Sequence, residues 1–416
     1  LKLRKAYKYR LKSKPEQERL FRKHAGCCRF VWNKALALQK QRLDAGEKIL
    51  RYVDVAKLLT GWKREEETEF LAEAPSHPLQ QTLRFLDRAI KEAFDKKNPK
   101  RFPRFKKKSR HTDSFRHPAS FKLDGDRVFL PKIGWVRFRK SREIEGTPRN
   151  VTVSRRGEHW YVSIQTEREI ADPVHPSATA VGIDLGITRF ATLSDGSFLR
   201  PLNSFRKLEQ KLAREQRKLA RKVKFSANWQ KQKSKITRLH IRIADTRNDY
   251  LHKASGTISK NYAVVVLEDL QIRNMSASAK GTIEQPGRNV RAKAGLNRAI
   301  LDQGWYEFRR QLEYKELWLG GRVVAAPPQY TSQTCPDCGH VSADNRRSQA
   351  CFVCQECGFE ENADLVGAMN ILAAGFSGRE GGQQKGRAVC HNVSLQCSVE
   401  GGSRGLKAIC REGASI

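Results

Sequence analysis

Three acidic side chains and four thiols carry the chemistry legible in this chain. Ala180-Val181-Gly182-Ile183-Asp184-Leu185-Gly186 is a short apolar run ending in a carboxylate, followed by a glycine suited to a tight turn. A second apolar run ends at Ser194-Asp195-Gly196, so two antiparallel strands are predicted, with Asp184 at the end of the first and facing a cleft. Ala263-Val264-Val265-Val266-Leu267 is apolar throughout and reads as a central strand covered on both faces; Glu268 stands at its end. Asn362 can cap a helix whose first turn holds Asp364, where the helix dipole favours a carboxylate. Each acid alone has an ordinary structural use, Asp364 as no more than support for a helix end. Together they suit two divalent ions about 4 Å apart, which would activate water and stabilise the leaving oxygen in phosphodiester hydrolysis. Acidic oxygens favour Mg2+, which keeps part of its water shell and takes a substrate phosphate as a further ligand.

The thiols make the second site. Cys335-Pro336-Asp337-Cys338-Gly339 and Cys354-Gln355-Glu356-Cys357-Gly358 are two C-x2-C pairs separated by 15 residues, the spacing of a zinc ribbon. Glycine follows the second cysteine of each pair, where the backbone must turn toward the thiolate. Cys351 also lies three before Cys354, but no glycine follows Cys354, so Cys351 is the spare. Four closed thiolates imply structural Zn2+ with no open position. Cys27 and Cys28 are expected to pack on a helix as small hydrophobes, and Cys390, Cys397 and Cys410 show no ligand spacing.

Charge narrows the partner. The 416 residues hold 80 Lys and Arg against 44 Asp and Glu, a net +36, with 39% hydrophobic residues. Such an excess opposes compaction unless a polyanion neutralises it, which points to nucleic acid, with a basic membrane-surface protein as the rival. No apolar run is long enough to span a bilayer, and no charged-then-apolar leader is present, so a soluble, non-secreted protein is expected. The uneven clustering of the ten cysteines favours a metal site over a disulfide framework.

The surrounding elements follow from periodicity. Residues 2–11 alternate apolar and basic as in a strand, and Ser13 with Glu16 reads as a capping box opening a long amphipathic helix through Leu38. A second helical region covers about 52–97, with a stripe at Leu79, Leu83, Leu86, Ile90 and Phe94. Asn98 to Lys108 is a proline-broken basic loop with Phe102 and Phe105 interleaved, either stacking on bases or pinning the loop to the core. From 118 to 168 the period is two, as in a small antiparallel barrel that residues 2–11 join. Residues 203–262 form a basic helical pair broken near Phe225; another helix holds Trp305 and Phe308, and Arg322–Ala326 is another strand. From Gly375 onward periodicity fades and a disordered tail is expected.

In this order the motifs resemble those of the TnpB family, the OrfB-type proteins of insertion sequences, related to type V CRISPR effectors. The match rests on Gly182-Ile183-Asp184-Leu185-Gly186, Leu267-Glu268-Asp269-Leu270, Thr331 through Gly339, Cys354 to Gly358, and Asp364 with Asn370-Ile371, plus Arg29-Phe30-Val31-Trp32-Asn33 and Phe102-Pro103-Arg104-Phe105-Lys106. It spans about residues 1–374. The resemblance implies a multidomain α+β chain: a WED-like β-barrel (1–12 and 111–172), a helical recognition insertion (13–110), an RNase H-like RuvC nuclease domain (179–331 and 359–374), a zinc ribbon (332–358) and a tail (375–416). On it the family's catalytic and Mg2+-binding residues fall on Asp184, Glu268 and Asp364, and the zinc ligands on Cys335, Cys338, Cys354 and Cys357. One departure is that Val366 and Gly367 replace the Asn and first Ala of a common D-x-N-A-A motif.

The expectation is therefore an RNA-guided DNA endonuclease of a prokaryotic mobile element, with two catalytic Mg2+, one structural Zn2+, an omega-type guide RNA and a double-stranded DNA target next to a transposon-adjacent motif. Such a protein would be a cytoplasmic, nucleoid-associated, monomeric ribonucleoprotein with no membrane partner. Residues proposed to touch nucleic acid are Tyr52, Gln80 and Gln81, since Gln can bond adenine bidentately, and Arg101, Phe102, Arg104, Phe105 and Lys106. The alternatives are a transposase acting directly on element ends and a non-cutting RNA-guided repressor.

Overall fold

The chain was studied as a computed structural model that describes residues 1–97, 100–108, 113–348 and 350–377. Most of the expected tail, with Cys390, Cys397 and Cys410, lies outside the described residues, as do Asn98 and Pro99.

The first half is built on β1 (Lys2–Lys12), whose alternate residues Leu3, Tyr7, Tyr9 and Leu11 are buried as the period of two predicts. The chain then makes three helices, α1 (Pro15–Asp44), α2 (Tyr52–Trp62) and α3 (Ser76–Ala93), before returning to strands. These are β2 (Ser114–His117), β3 (Lys122–Asp124), β4 (Arg127–Leu130), β5 (Gly134–Phe138), β6 (Thr147–Arg156) and β7 (His159–Glu169). Together with β1 they form a seven-stranded antiparallel sheet in the order β2-β6-β7-β1-β5-β4-β3, so the strand at the N-terminus is its centre. The expected barrel is thus found as a sheet with β2 and β3 at its edges, among the described residues. α1 lies on it through Phe21, whose ring meets Trp160 at 5.1 Å and Phe115 at 6.1 Å. One expectation is corrected. The capping frame starts one residue later than Ser13 and Glu16 suggest: Lys14 is the N-cap, Gln17 accepts its N–H at 3.0 Å, and Ser13 donates to Glu18 at 3.1 Å. Pro15 decides this, because proline fits the first helical position, where no N–H is needed.

The second half holds β8 (Ala180–Asp184), β9 (Ala191–Leu193), β10 (Phe198–Leu199), α4 (Ser204–Ala220), α5 (Ala227–Asn261), β11 (Val264–Glu268), α6 (Ile272–Met275), α7 (Val290–Gln303), α8 (Trp305–Leu319) and β12 (Arg322–Ala326). After β12 come the two short strands β13 (Cys351–Val353) and β14 (Glu360–Asn362), then α9 (Ala363–Ser377). Five strands form a mixed sheet in the order β10-β9-β8-β11-β12, with β11 parallel to both β8 and β12. Both faces are covered, as an unbroken apolar strand requires. Val181, Ile183, Val265 and Leu267 pack with residues of α5, α7 and α8, including Leu251, Ile300 and Phe308. Val266 and Ala326 instead pack with Ile371 of α9.

Gly182 sets how close α9 lies. A Cβ there would stand 2.2 Å from the carbonyl oxygen of Ala368 and 2.6 Å from the amide nitrogen of Leu372. Backbone rests directly on backbone, an approach open only to glycine. No described helix is long and apolar enough to cross a membrane. We expect Gly182→Ala to cost about 1–3 kcal/mol by overpacking, read as a lower urea midpoint at unchanged m-value; an unchanged midpoint would show that α9 is not held this tightly.

Candidate active site

Strand register brings the first two acids together. Val266 stands opposite Gly182 and Leu267 opposite Ile183, so the next step along the parallel pair sets Glu268 beside Asp184 on one face. That face is the one α9 covers. Helix contact at Gly182 involves Ala368, and Asp364 lies one turn earlier in α9. Four helical residues advance about 6 Å, and two strand residues about 6.6 Å, so Asp364 comes level with Asp184. Gly367 lies against that carboxylate too: a Cβ there would sit 3.4 Å from Asp184 Oδ2, an ordinary contact. The glycine that departs from the common motif therefore leaves only a small gap beside the acid.

The electrostatics record the convergence. Burial first, then the charges of Glu268 and Asp364, push Asp184 up to about 7, while Arg346 and the N–H of Leu185 pull the other way. Burial also raises Glu268, opposed by the hydroxyl of Thr331, which donates to Glu268 Oε1 at 2.9 Å. Asn362 Oδ1 accepts the Asp364 N–H at 3.1 Å, which is the predicted cap. The acids form an excess of negative charge at the C-terminal ends of β8 and β11, a donor set suited to divalent cations. They are spread more widely than the four thiols, which are the only group among the described residues with every ligand atom within 4.8 Å of the others.

The thiols converge as their spacing predicts. Cys335 Sγ lies 3.6 Å from Cys357 Sγ, and Cys338 Sγ lies 3.6 Å from Cys354 Sγ. Tetrahedral zinc with Zn–S near 2.3 Å requires sulfur atoms about 3.8 Å apart, so the set fits structural Zn2+. The backbone N–H of Cys357 leads in pulling the Cys354 thiol down to about 6, while the Cys338 and Cys357 thiols are raised. Cys351 lies on β13 with its sulfur toward Glu360, outside the set. One run of hydrogen bonds and one electrostatic influence relate this ribbon to the acids. Asn370 of α9 donates to the carbonyls of Thr331 at 2.8 Å and Thr334 at 2.7 Å, and Thr331 holds Glu268. Arg346, between the cysteine pairs, bears on Asp184. Asn370 had a legible signal, a polar residue inside an apolar helix; nothing in the sequence marked Arg346.

The N-terminal residues lie elsewhere. Trp32 Nε1 donates to the Arg104 carbonyl at 3.0 Å, and the Asn33 side chain bonds both the N–H and the carbonyl of Lys106. Phe102 packs edge-on against Phe94 at 6.0 Å and so pins the loop, while Phe105 is exposed beneath Lys40. Gln81 lines a cleft of about 440 Å3 with Arg29, Lys106 and Arg116. Tyr52 is covered by Arg84 at 4.9 Å. Gln80 is half-buried and Arg101 exposed.

Sequence comparison assigns the family. Family models match residues 161–279 (OrfB_IS605, "Probable transposase"), 305–371 ("Cas12f1-like, TNB domain") and 3–48 ("Helix-turn-helix domain"). The last region folds here as one strand and one helix. The chain is 56% identical over 374 residues to "Putative RNA-guided DNA endonuclease InsQ" of Escherichia coli K12, covering 89% of this chain and 92% of that one. The chain belongs to the TnpB family. A second TnpB relative, "Putative RNA-guided DNA endonuclease" of Streptomyces pristinaespiralis, is 36% identical and covers 90% of each chain. The architecture resembles that of the protein in "Cryo-EM structure of the Cas12f1-sgRNA-target DNA complex", with a TM-score of 0.50 at 14% identity over 86% of this chain and 83% of that one.

Two outcomes are expected of this TnpB-family chain. Elemental analysis should find about one zinc per chain, lost when Cys335 and Cys354 are both changed to Ser; metal-free protein would refute the ribbon assignment. Because folding raises the Asp184 pKa from 3.8 to about 7, folded protein retains a proton that the unfolded chain has released. With divalent ions chelated, stability should therefore fall as pH rises from about 4 to about 7 and level off above. Asp184→Asn should flatten that slope in thermal melts; an equal slope in both proteins would disprove the assignment.

Proposed function

We propose that this chain is an RNA-guided DNA endonuclease of a prokaryotic insertion sequence, with Asp184, Glu268 and Asp364 as the hydrolytic site. The observation that carries the reading is the convergence on Asp184 of Glu268, by the β8–β11 register, and of Asp364, by the packing of α9 on Gly182. The similarity to relatives named as RNA-guided DNA endonucleases supports guide RNA and target DNA as partners. On this reading the seven-stranded sheet is the WED-like domain, α1–α3 the recognition insertion, the five-stranded sheet with its helices the RuvC-like domain, and residues 332–358 the ribbon.

The three acids would hold two Mg2+. When bound, such ions supply Lewis acidity that lowers the pKa of attacking water and neutralises charge on the leaving oxygen. The chain's own residues do the positioning. Thr331 fixes the Glu268 carboxylate, Asn370 fixes the turn that carries Thr331, and Gly182 lets α9 bring Asp364 down to Asp184. Arg346, from between the cysteine pairs, bears on the Asp184 charge. Guide pairing would read the target, while the N-terminal half reads a short adjacent motif. The net charge of +36 suits a chain that grips a polyanion. We read the assembly as a monomeric ribonucleoprotein of the prokaryotic cytoplasm, associated with the nucleoid.

The test uses the full chain purified with its RNA and a duplex target. Asp184→Ala should abolish cutting while RNA and DNA binding stay within about twofold, and cutting by that variant would refute the site. Ligation of element ends without RNA would instead favour direct transposition. Mg2+ needs ionised carboxylates, so its apparent affinity in cleavage should rise about tenfold per pH unit below about 7, where Asp184 titrates, and then level; a flat dependence would remove Asp184 from the metal ligands.

A further inference from the structure

Helix α8 carries a stripe that the proposed chemistry leaves unused. Tyr306, Arg310, Tyr314 and Trp318 recur every four residues along it. The Arg310 guanidinium lies 5.5 Å over the Tyr314 ring, and the Tyr314 and Trp318 rings are 4.7 Å apart. Each step advances about 6 Å, comparable to the phosphate spacing of a stretched single strand. Two clefts adjoin this stripe and share Arg310. One, of about 430 Å3, is lined by Tyr306 and Arg309 on one side and by Leu185 and Glu268, at the ends of β8 and β11, on the other. The second, of about 980 Å3, lies between the far end of α8 and β1, with Tyr314, Trp318, Lys5 and Arg142 in its wall. α8 leads directly into β12, and β12 is parallel to β11, so the helix runs from the carboxylate edge of the sheet to the opposite edge.

Charge in the larger cleft is positive, while Glu268 and Glu313 join the cations of the smaller one. Arg309 is shared with Asp269 and Glu313, and Arg310 with Glu307, so those pairs are largely neutralised. Lys5, Arg142, Lys315 and Arg273 have no carboxylate partner among the described residues. Lys5 sits 5.8 Å over Trp318, and Lys315 donates to the His252 carbonyl and to Ser255 Oγ. No acidic side chain lines the larger cleft. Rings to stack on, cations between them and a lead to Glu268 are the parts of a single-strand track. A purely structural use, Trp318 packing under β1, would not account for Tyr306, which is 72% exposed.

We propose that Tyr306, Arg310, Tyr314 and Trp318 form a track that stacks an unpaired DNA strand and feeds it to the carboxylates. The inference rests on the nuclease reading, because only that reading requires a DNA strand at Glu268. The full chain with its RNA would be assembled on a target duplex carrying 4-thiothymidine at successive positions of either strand. In the Asp184→Ala background, irradiation should give crosslinks at Tyr306, Tyr314 or Trp318. In otherwise native protein, Tyr314→Ala with Trp318→Ala should slow single-turnover cutting roughly tenfold while target binding, zinc content and thermal midpoint are kept. Tyr314→Phe with Trp318→Phe should restore the rate, since rings stack without their polar atoms. Unchanged cutting together with crosslinks outside α8 would overturn the track, as would crosslinks there only from 4-thiouridine in the RNA. Cutting by Asp184→Ala would instead refute the carboxylate site, and crosslinking would still decide the track.

Discussion

The three acids of the second half meet through one close approach, α9 lying backbone to backbone on β8 at Gly182. The parallel register of β8 and β11 already sets Asp184 and Glu268 side by side. Without the helix they would be two strand-end acids with solvent to screen them. With it, Asp364 joins them and the site is partly dried, which costs the folded chain free energy because carboxylates are poorly stabilised away from water. On the proposed reading a divalent cation would relieve that cost, so the packing that burdens the apo fold would also favour binding the metal.

The ribbon belongs to the same construction. Asn370 clamps the segment entering the ribbon, and Thr331 in that segment holds Glu268. Arg346, inside the ribbon, pulls against the rise in the Asp184 pKa. The segment from Thr331 through the ribbon thus brings a hydroxyl donor onto Glu268 and an arginine's charge to bear on Asp184. None of the three site acids lies within residues 332–358.

The N-terminal half follows a similar economy. Trp32 and Asn33 on α1 each bind the backbone of the basic loop, and the Lys106 amine lies 3.6 Å over the Trp32 ring. The loop's conformation is fixed by α1, so its outward charges at Arg101, Arg104 and Lys107 are presented from a held backbone. Phe102 serves the core and Phe105 the surface, a division the sequence left open because both residues sit in the same basic context.

Local pattern was enough to determine the elements and the ligand types. Unbroken apolar runs ending in Asp184 and Glu268 marked the strands, Asn362 marked the start of α9, and paired cysteines with following glycines marked the ribbon, because strand period, capping and knuckle turns are properties of a few adjacent residues. The first cap frame, at Ser13, misled for the same local reason, since Pro15 outweighed a matching pair of polar residues. Tertiary structure alone decided that Thr331, Asn370 and Arg346 serve the acids, and that Tyr306, Arg310, Tyr314 and Trp318 border two clefts meeting at one arginine. Those relations depend on how far one backbone can approach another and which face a helix turns outward. Neither distance nor face is written in neighbouring residues; both emerge only when the chain is closed on itself.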